Sequence, residues 1–85
     1  MSTGTVLSGC QLMKRMAKEG RKEIEDEKRR IDLLESQVDA LEHIPDTPPS
    51  QIEALRTRLR ELRERLELDE AQQSALEDEI LASCS

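Results

Sequence analysis

His43-Ile44-Pro45-Asp46-Thr47-Pro48-Pro49-Ser50 contains all three prolines of the 85-residue chain and divides it into two nearly equal arms. Proline lacks a backbone N–H, and it disfavours the helical conformation of the residue that precedes it. One helix is therefore predicted to end near His43 and another to begin near Ser50. Because so short a connection usually joins antiparallel neighbours, the stretch predicts a helical hairpin.

Capping motifs indicate where the two helices begin. Ser8-Gly9-Cys10-Gln11 and Ser50-Gln51-Ile52-Glu53 both fit the capping box, in which the first and fourth residues satisfy each other's backbone N–H groups. Thr47 followed by Pro48 is a rival start for the second helix. The predicted organisation is a flexible leader at 1–7, helix 1 at 8–43, a proline turn at 44–49 and helix 2 at 50–84, with one hairpin domain at 8–84.

Both arms follow a seven-residue repeat, lettered a to g, whose a and d positions face the partner helix. Folding the arms back at the prolines pairs these positions in layers without any insertion. The four layers next to the turn are aliphatic, whereas Glu27, Asp69, Gly20 and Gln73 leave the middle layers polar and underfilled. We therefore expect the half farther from the turn to be the softer one. The predicted hairpin core consists of Ile24, Ile31, Leu34, Val38, Leu41, Ile52, Leu55, Leu59, Leu62, Leu66, Leu76 and Ile80.

The charges at the e positions agree with antiparallel pairing, which places the two e rows against each other. Such exposed pairs select a register more than they stabilise the fold. The predicted pairs are Arg21 with Glu70 or Glu77, Lys28 with Glu70, Glu35 with Arg56 or Arg63, and Glu42 with Arg56.

The composition is typical of a coiled coil, with 38% charged residues, 35% apolar residues and no aromatic residue. Disorder is the competing interpretation, but the regular apolar spacing argues against it. No apolar run is long enough to span a bilayer, and no signal peptide is visible, which favours an intracellular protein that does not bind a membrane. The net charge of −6 argues against nonspecific nucleic-acid binding.

Cys10 and Cys84 are the only cysteines, and the hairpin brings them to the same end. We predict a disulfide between them in an oxidising environment, with two reduced thiols or an intermolecular crosslink as the alternatives. Two thiols are too few for structural zinc, and the single His43 lies at the other end of the hairpin. No nucleophile–base pair and no glycine-rich phosphate loop is present. The sequence therefore predicts no catalytic residue, no metal and no cofactor.

The apolar stripe widens on one flank, where positions c and g carry leucine, methionine and alanine beside three arginines. Scattered surface alkyl groups with solvated arginines are the simpler interpretation. The alternative is a docking face, because a two-helix hairpin leaves its seam half open and can dimerise into a four-helix bundle. The candidate partner face comprises Arg30, Leu33, Arg58, Arg65 and Leu68.

The functional hypothesis is a non-enzymatic protein–protein interaction module, an adaptor, assembly or regulatory subunit that self-associates as a homodimer. The alternative is a small nucleic-acid-binding hairpin dimer that uses the basic segment Arg56–Arg65. Glu61 and Glu64 interrupt that segment, and no aromatic side chain is available to stack on bases. A third arrangement keeps the heptads but opens the hairpin, so that two chains pair arm to arm.

Overall fold

The computed structural model describes residues 8–84, which form two α-helices, α1 at Gly9–Glu42 and α2 at Pro49–Ser83. The helices pack against each other, and this part of the chain contains no strand. Contacts at both ends, between Cys10 and Cys84 and between Glu42 and Arg56, show that they run antiparallel. The predicted all-α hairpin is thereby confirmed, while the predicted leader at 1–7 lies outside the described residues.

The start of α1 is held by the predicted capping box. The Ser8 hydroxyl accepts a hydrogen bond from the Gln11 N–H at 3.1 Å, and the Gln11 side-chain oxygen accepts one from the Ser8 N–H at 3.0 Å. Two of the N–H groups that a helix start leaves unsatisfied thus find partners. The helix ends at Glu42, one residue before the predicted end, and His43 caps it by donating its backbone N–H to Ala40 at 3.2 Å.

The start of α2 differs from the prediction. The helix begins at Pro49, one residue earlier than expected, and Pro48 occupies the cap position in an extended conformation. No side chain caps it, so the capping roles expected of Ser50 and Thr47 are wrong. Proline in the first helical position explains why a side-chain cap is dispensable, since its missing N–H would have been unsatisfied there in any case.

The core is a single row of side chains between the two helices. Ile24, Ile31, Val38 and Leu59 are the buried hydrophobic residues among those described. Two packed helices cover only one side of each other, so the seam stays partly open to solvent. The remaining predicted core residues are half-buried: Leu34, Leu41, Ile52, Leu55, Leu62, Leu66, Leu76 and Ile80.

The layer of Gly20 and Gln73 is polar and borders a groove of about 270 Å³, as expected of an underfilled layer, but Gln73 itself is buried between the helices. Gln73 is only 5% exposed, and its Nε2 donates a hydrogen bond to the Ala17 carbonyl at 2.7 Å. A Cβ atom added at Gly20 would overlap the Gln73 side-chain oxygen. The missing side chain at Gly20 therefore makes the space in which Gln73 is buried.

The flank formed by the e positions is crossed by three salt bridges, Arg21–Glu77, Arg63–Glu35 at 2.5 Å and Arg56–Glu42. Each was among the predicted pairs. The hydrogen bond from Arg21 lowers the pKa of Glu77 below its ordinary value. Lys28 is an exception, since it lies 3.9 Å from Glu25 in its own helix instead of pairing with Glu70.

Candidate functional site

Large exposed hydrophobic side chains are concentrated on the flank opposite the e positions. Six such side chains are exposed in residues 8–84, and five of them occupy position c or g: Leu12, Met16, Leu33, Ile44 and Leu68. Leu33 and Leu68 are 61% and 65% exposed. The sixth, Leu81 at position b, is 73% exposed. Single exposed leucines are ordinary, but a row of them along one flank is typical of an interaction surface.

We call this flank the c/g face, meaning all residues at positions c and g. It includes the five residues of the predicted partner face. Its members in or next to α1 are Gly9, Leu12, Met16, Glu19, Glu23, Asp26, Arg30, Leu33, Gln37, Ala40 and Ile44, and its members in α2 are Gln51, Ala54, Arg58, Glu61, Arg65, Leu68, Gln72, Ala75, Glu79 and Ala82.

Arg30, Arg58 and Arg65 surround one groove of about 200 Å³ between the helices, as the spacing predicted. The groove is floored by Ile31 and Leu62. Arg58 lies 3.7 Å from Glu61 and Arg65 lies 4.0 Å from Asp69, each within α2, and both guanidinium groups remain largely exposed. Guanidinium groups beside an apolar floor can bind carboxylates while their stems pack on alkyl groups.

Glu27 joins this groove to a second one of about 270 Å³, which Asp69 also lines. The Oε2 atom of Glu27 is buried and has no hydrogen-bond partner among the described residues. Asp69 raises the pKa of Glu27 by hydrogen bonding to its neutral form and by repelling its charge, and burial raises it too, whereas Arg65 and Arg30 lower it. The heptad layers pair Glu27 with Leu66, so this contact between two carboxyl groups was not predicted.

The basic segment Arg56–Arg65 does not form one continuous surface. Arg56 and Arg63 lie on the e flank in salt bridges, whereas Arg58 and Arg65 lie on the c/g face. The segment's positive charge is therefore divided between opposite sides of the hairpin, and four of its five arginines lie in salt bridges.

Cys10 and Cys84 form a disulfide within the chain, with their Cα atoms 5.6 Å apart. The Cys10 sulfur also lies 3.7 Å from the Ser83 carbonyl oxygen. The bond closes the hairpin at the end opposite the proline turn. It leaves the c/g face uncovered along the whole length between the two ends.

No group of three or more His, Cys, Asp or Glu side chains in residues 8–84 is arranged to hold a metal ion. Neither α1 nor α2 contains a stretch long and apolar enough to cross a membrane.

Comparison of the chain with protein-family models, curated proteins and solved structures finds no match.

Proposed function

We propose that this protein is a non-enzymatic interaction module that self-associates through the c/g face into a four-helix bundle and serves as an adaptor, assembly or regulatory subunit. The observation that carries the proposal is the row of five large hydrophobic side chains on this face. A partner that covers this row would stabilise the complex by roughly 25 cal/mol for each Å² of apolar surface removed from water.

The dimensions of the face suit a stable dimer. Helices of 34 and 35 residues extend about 50 Å, and two adjacent helices are about 20 Å wide. The face therefore offers about 1,000 Å², compared with the roughly 800 Å² that each partner contributes to an interface of standard size. Covering it would also close the open side of the core, where most predicted core residues are still half-buried.

The two flanks differ in a way that favours the c/g face over the e flank as the docking side. The three salt bridges that cross the e flank satisfy its charges within the hairpin. In residues 8–84, no salt bridge joins the two helices across the c/g face. A partner on this side would meet apolar side chains and arginines without first breaking interhelical ion pairs.

Analytical ultracentrifugation of three variants tests the proposal. Leu33→Glu and Leu68→Glu each place a carboxylate in the exposed apolar row, and we expect either change to weaken dimerisation at least tenfold. Leu81→Glu is the matched control, because Leu81 is equally exposed but lies outside the c/g face. A monomeric wild-type protein at millimolar concentration would contradict self-association, and equal weakening by all three variants would contradict the assignment to this face.

A salt titration separates this function from nucleic-acid binding. The affinity of a protein that neutralises phosphates falls steeply and linearly with the logarithm of salt concentration. A dimer held mainly by apolar contacts changes little over the same range. The division of Arg56–Arg65 between two flanks favours the second outcome. Steeply salt-dependent binding to a duplex or structured RNA would instead support the alternative.

A further inference from the structure

We infer that the second copy docks on the c/g face in the antiparallel orientation, with its arginines against the acidic residues of the first copy and the two Leu68 side chains near the symmetry axis. This inference rests on the proposed self-association and adds its geometry. It follows from the way charge is distributed along the face.

Charge on the c/g face changes sign along the hairpin. Counting along both helices from the contact between Gly20 and Gln73 gives each residue a level along the shared axis. Arg30, Arg58 and Arg65 all lie between the midpoint of α1 and the proline turn. Asp26 and Glu61 lie on the same side, so the three arginines and two acids of this half give a net charge of +1. The other half, between that midpoint and the disulfide, carries Glu19, Glu23 and Glu79 and has a net charge of −3 on this face.

The spacing of these charges is nearly symmetrical about the midpoint of α1. At 1.5 Å per residue, Arg58 and Glu79, both in α2, lie about 14 Å and 17 Å from the midpoint on opposite sides. Arg30 and Glu19 lie about 7 Å and 10 Å from the midpoint on opposite sides. A half-turn about an axis through the midpoint and across the face places α1 against α1 and α2 against α2. It therefore brings Arg30 of one copy close to Glu19 and Glu23 of the other, and Arg58 close to Glu79.

The same half-turn also places apolar residues of the two copies against each other. Leu68 is level with Glu25, almost at the midpoint, so the half-turn places it beside Leu68 of the second copy. Leu33 of one copy comes level with the neighbourhood of Met16 of the other, and both side chains are exposed. Leu12 comes level with Ala40, so a large side chain faces a small one. The interface is thus largely self-complementary in charge and shape, and Asp26 is the exception because the half-turn places it beside its own equivalent.

The parallel dimer, related by an axis along the hairpin, lacks this complementarity. It keeps every residue level with its own equivalent and places α1 against α2. Arg30 of one copy then lies level with Arg65 and Glu61 of the other, and away from its Glu19 and Glu23. Arg30 thus loses two acidic neighbours and gains a like charge, which is unfavourable in an interface and selects against that arrangement. The antiparallel dimer is the one that the charge pattern favours.

A charge exchange between copies provides the first test. Arg30→Glu should weaken the wild-type dimer about tenfold or more, because it places a carboxylate against Glu23 and Glu19 of the partner. Adding Glu23→Arg should restore most of the lost affinity, measured by ultracentrifugation at low salt. The two positions are seven residues apart in one helix, about 10 Å, so the rescue reports contacts between copies. Lys22→Glu, the same charge change at the outer position f, should leave the affinity unchanged within about twofold.

Distance measurements between spin labels provide the second test. Because Cys10 and Cys84 are bonded to each other, a single introduced cysteine can be labelled selectively. Asp39→Cys and Glu67→Cys place the label outside the face, near the turn and near the midpoint. In the antiparallel dimer the labels at residue 39 are about 40 Å apart or more along the axis, whereas those at residue 67 lie within about 30 Å.

The outcomes distinguish this inference from the proposed function. The predicted pair of distances together with the charge rescue supports the antiparallel dimer. Short distances at both positions indicate a parallel dimer, and long distances at both indicate a staggered one. Either result overturns the inference and leaves self-association intact. A protein that stays monomeric overturns both.

Discussion

The two halves of the hairpin are held together by different means. The half next to the turn comprises the layers from Ile31 to the prolines. Its aliphatic core is provided by the buried side chains of Ile31, Val38 and Leu59. In the distal half, Glu27 and Asp69 place two carboxyl groups together, and Gln73 replaces an apolar side chain. That half is closed by the disulfide and by Gln73 fitted over Gly20. Apolar burial thus holds one half, and a covalent bond with specific polar contacts holds the other.

The distal half should be more sensitive to single substitutions than the half next to the turn. Apolar burial is lost only when the layers separate, whereas the distal layers depend on single contacts that one substitution can remove. Ile24 is the exception in the distal half, since it is only 2% exposed. The following changes should affect the two halves unequally, and each is to be measured at one fixed protein concentration because the proposed dimerisation would also contribute to stability.

Removing the disulfide should have the largest effect. Cys10→Ser with Cys84→Ser opens a loop that spans a sequence separation of 74 residues, and the unfolded chain gains entropy equivalent to about 4 kcal/mol of lost stability. Hydrogen exchange should show lost protection mainly in the distal parts of α1 and α2, with the layers next to the turn retaining theirs. Uniform loss of protection along both helices would contradict the difference between the halves.

Leu59→Ala should have the largest effect among single substitutions in the half next to the turn. It removes a buried side chain from an aliphatic layer, and we expect a loss of about 3 kcal/mol in the free energy of unfolding by urea denaturation. Leu81→Ala is the control, because Leu81 is largely exposed and its truncation should cost less than about 0.5 kcal/mol. Equal effects of the two changes would show that the row around Leu59 is not a core.

The regular features of this molecule could be predicted from the sequence, and the exceptions to the heptad could not. Three prolines and a seven-residue repeat without insertions determine the turn, the antiparallel register and the level of Cys10 with Cys84. The heptad repeat places Gln73 at a core position where an apolar residue is expected. The repeat does not show that Gly20 on the facing helix leaves space for the Gln73 side chain. The sequence could likewise indicate that positions c and g are apolar, but an exposed leucine does not specify what covers it.

The Glu27 carboxyl should weaken the distal half at neutral pH and not in acid. The pKa of this carboxyl is raised in the folded protein above 4.5, its pKa in the unfolded chain. The stability that the carboxyl contributes is therefore fully present below pH 4.5 and is lost as the pH rises through the pKa of the folded state. Glu27→Gln, whose amide can donate to Asp69, should therefore raise the melting temperature at pH 7 by about 4 °C, the equivalent of about 1 kcal/mol.

The advantage of Glu27→Gln should shrink as the pH falls toward 4.5. The lowered pKa of Glu77 acts in the opposite direction, since its contribution is present above pH 4.5 and is lost in acid, so each variant must be compared with the wild type at the same pH. Glu67→Gln, an exposed change at position b of α2, controls for the loss of one negative charge. An equal gain from both variants would mean that net charge, and not the contact with Asp69, is responsible.

Gly20→Ala should have the smallest net effect, because two opposing changes nearly cancel. Alanine stabilises a helix interior by about 1 kcal/mol relative to glycine. The new methyl group, however, would displace the Gln73 side chain, whose Nε2 would lose its hydrogen bond to the Ala17 carbonyl. A buried polar group left without a partner costs about 1–3 kcal/mol, so the helix gain is offset.

A double-mutant cycle isolates the contact between Gly20 and Gln73. In a Gln73→Ala background no amide is left to displace, so Gly20→Ala should show its full gain of about 1 kcal/mol by thermal denaturation. In the wild-type background the same change should give no gain or a loss. If Gly20→Ala stabilises both backgrounds equally, Gln73 can move aside at no cost. The distal half would then be held by its disulfide and salt bridge, without the buried amide.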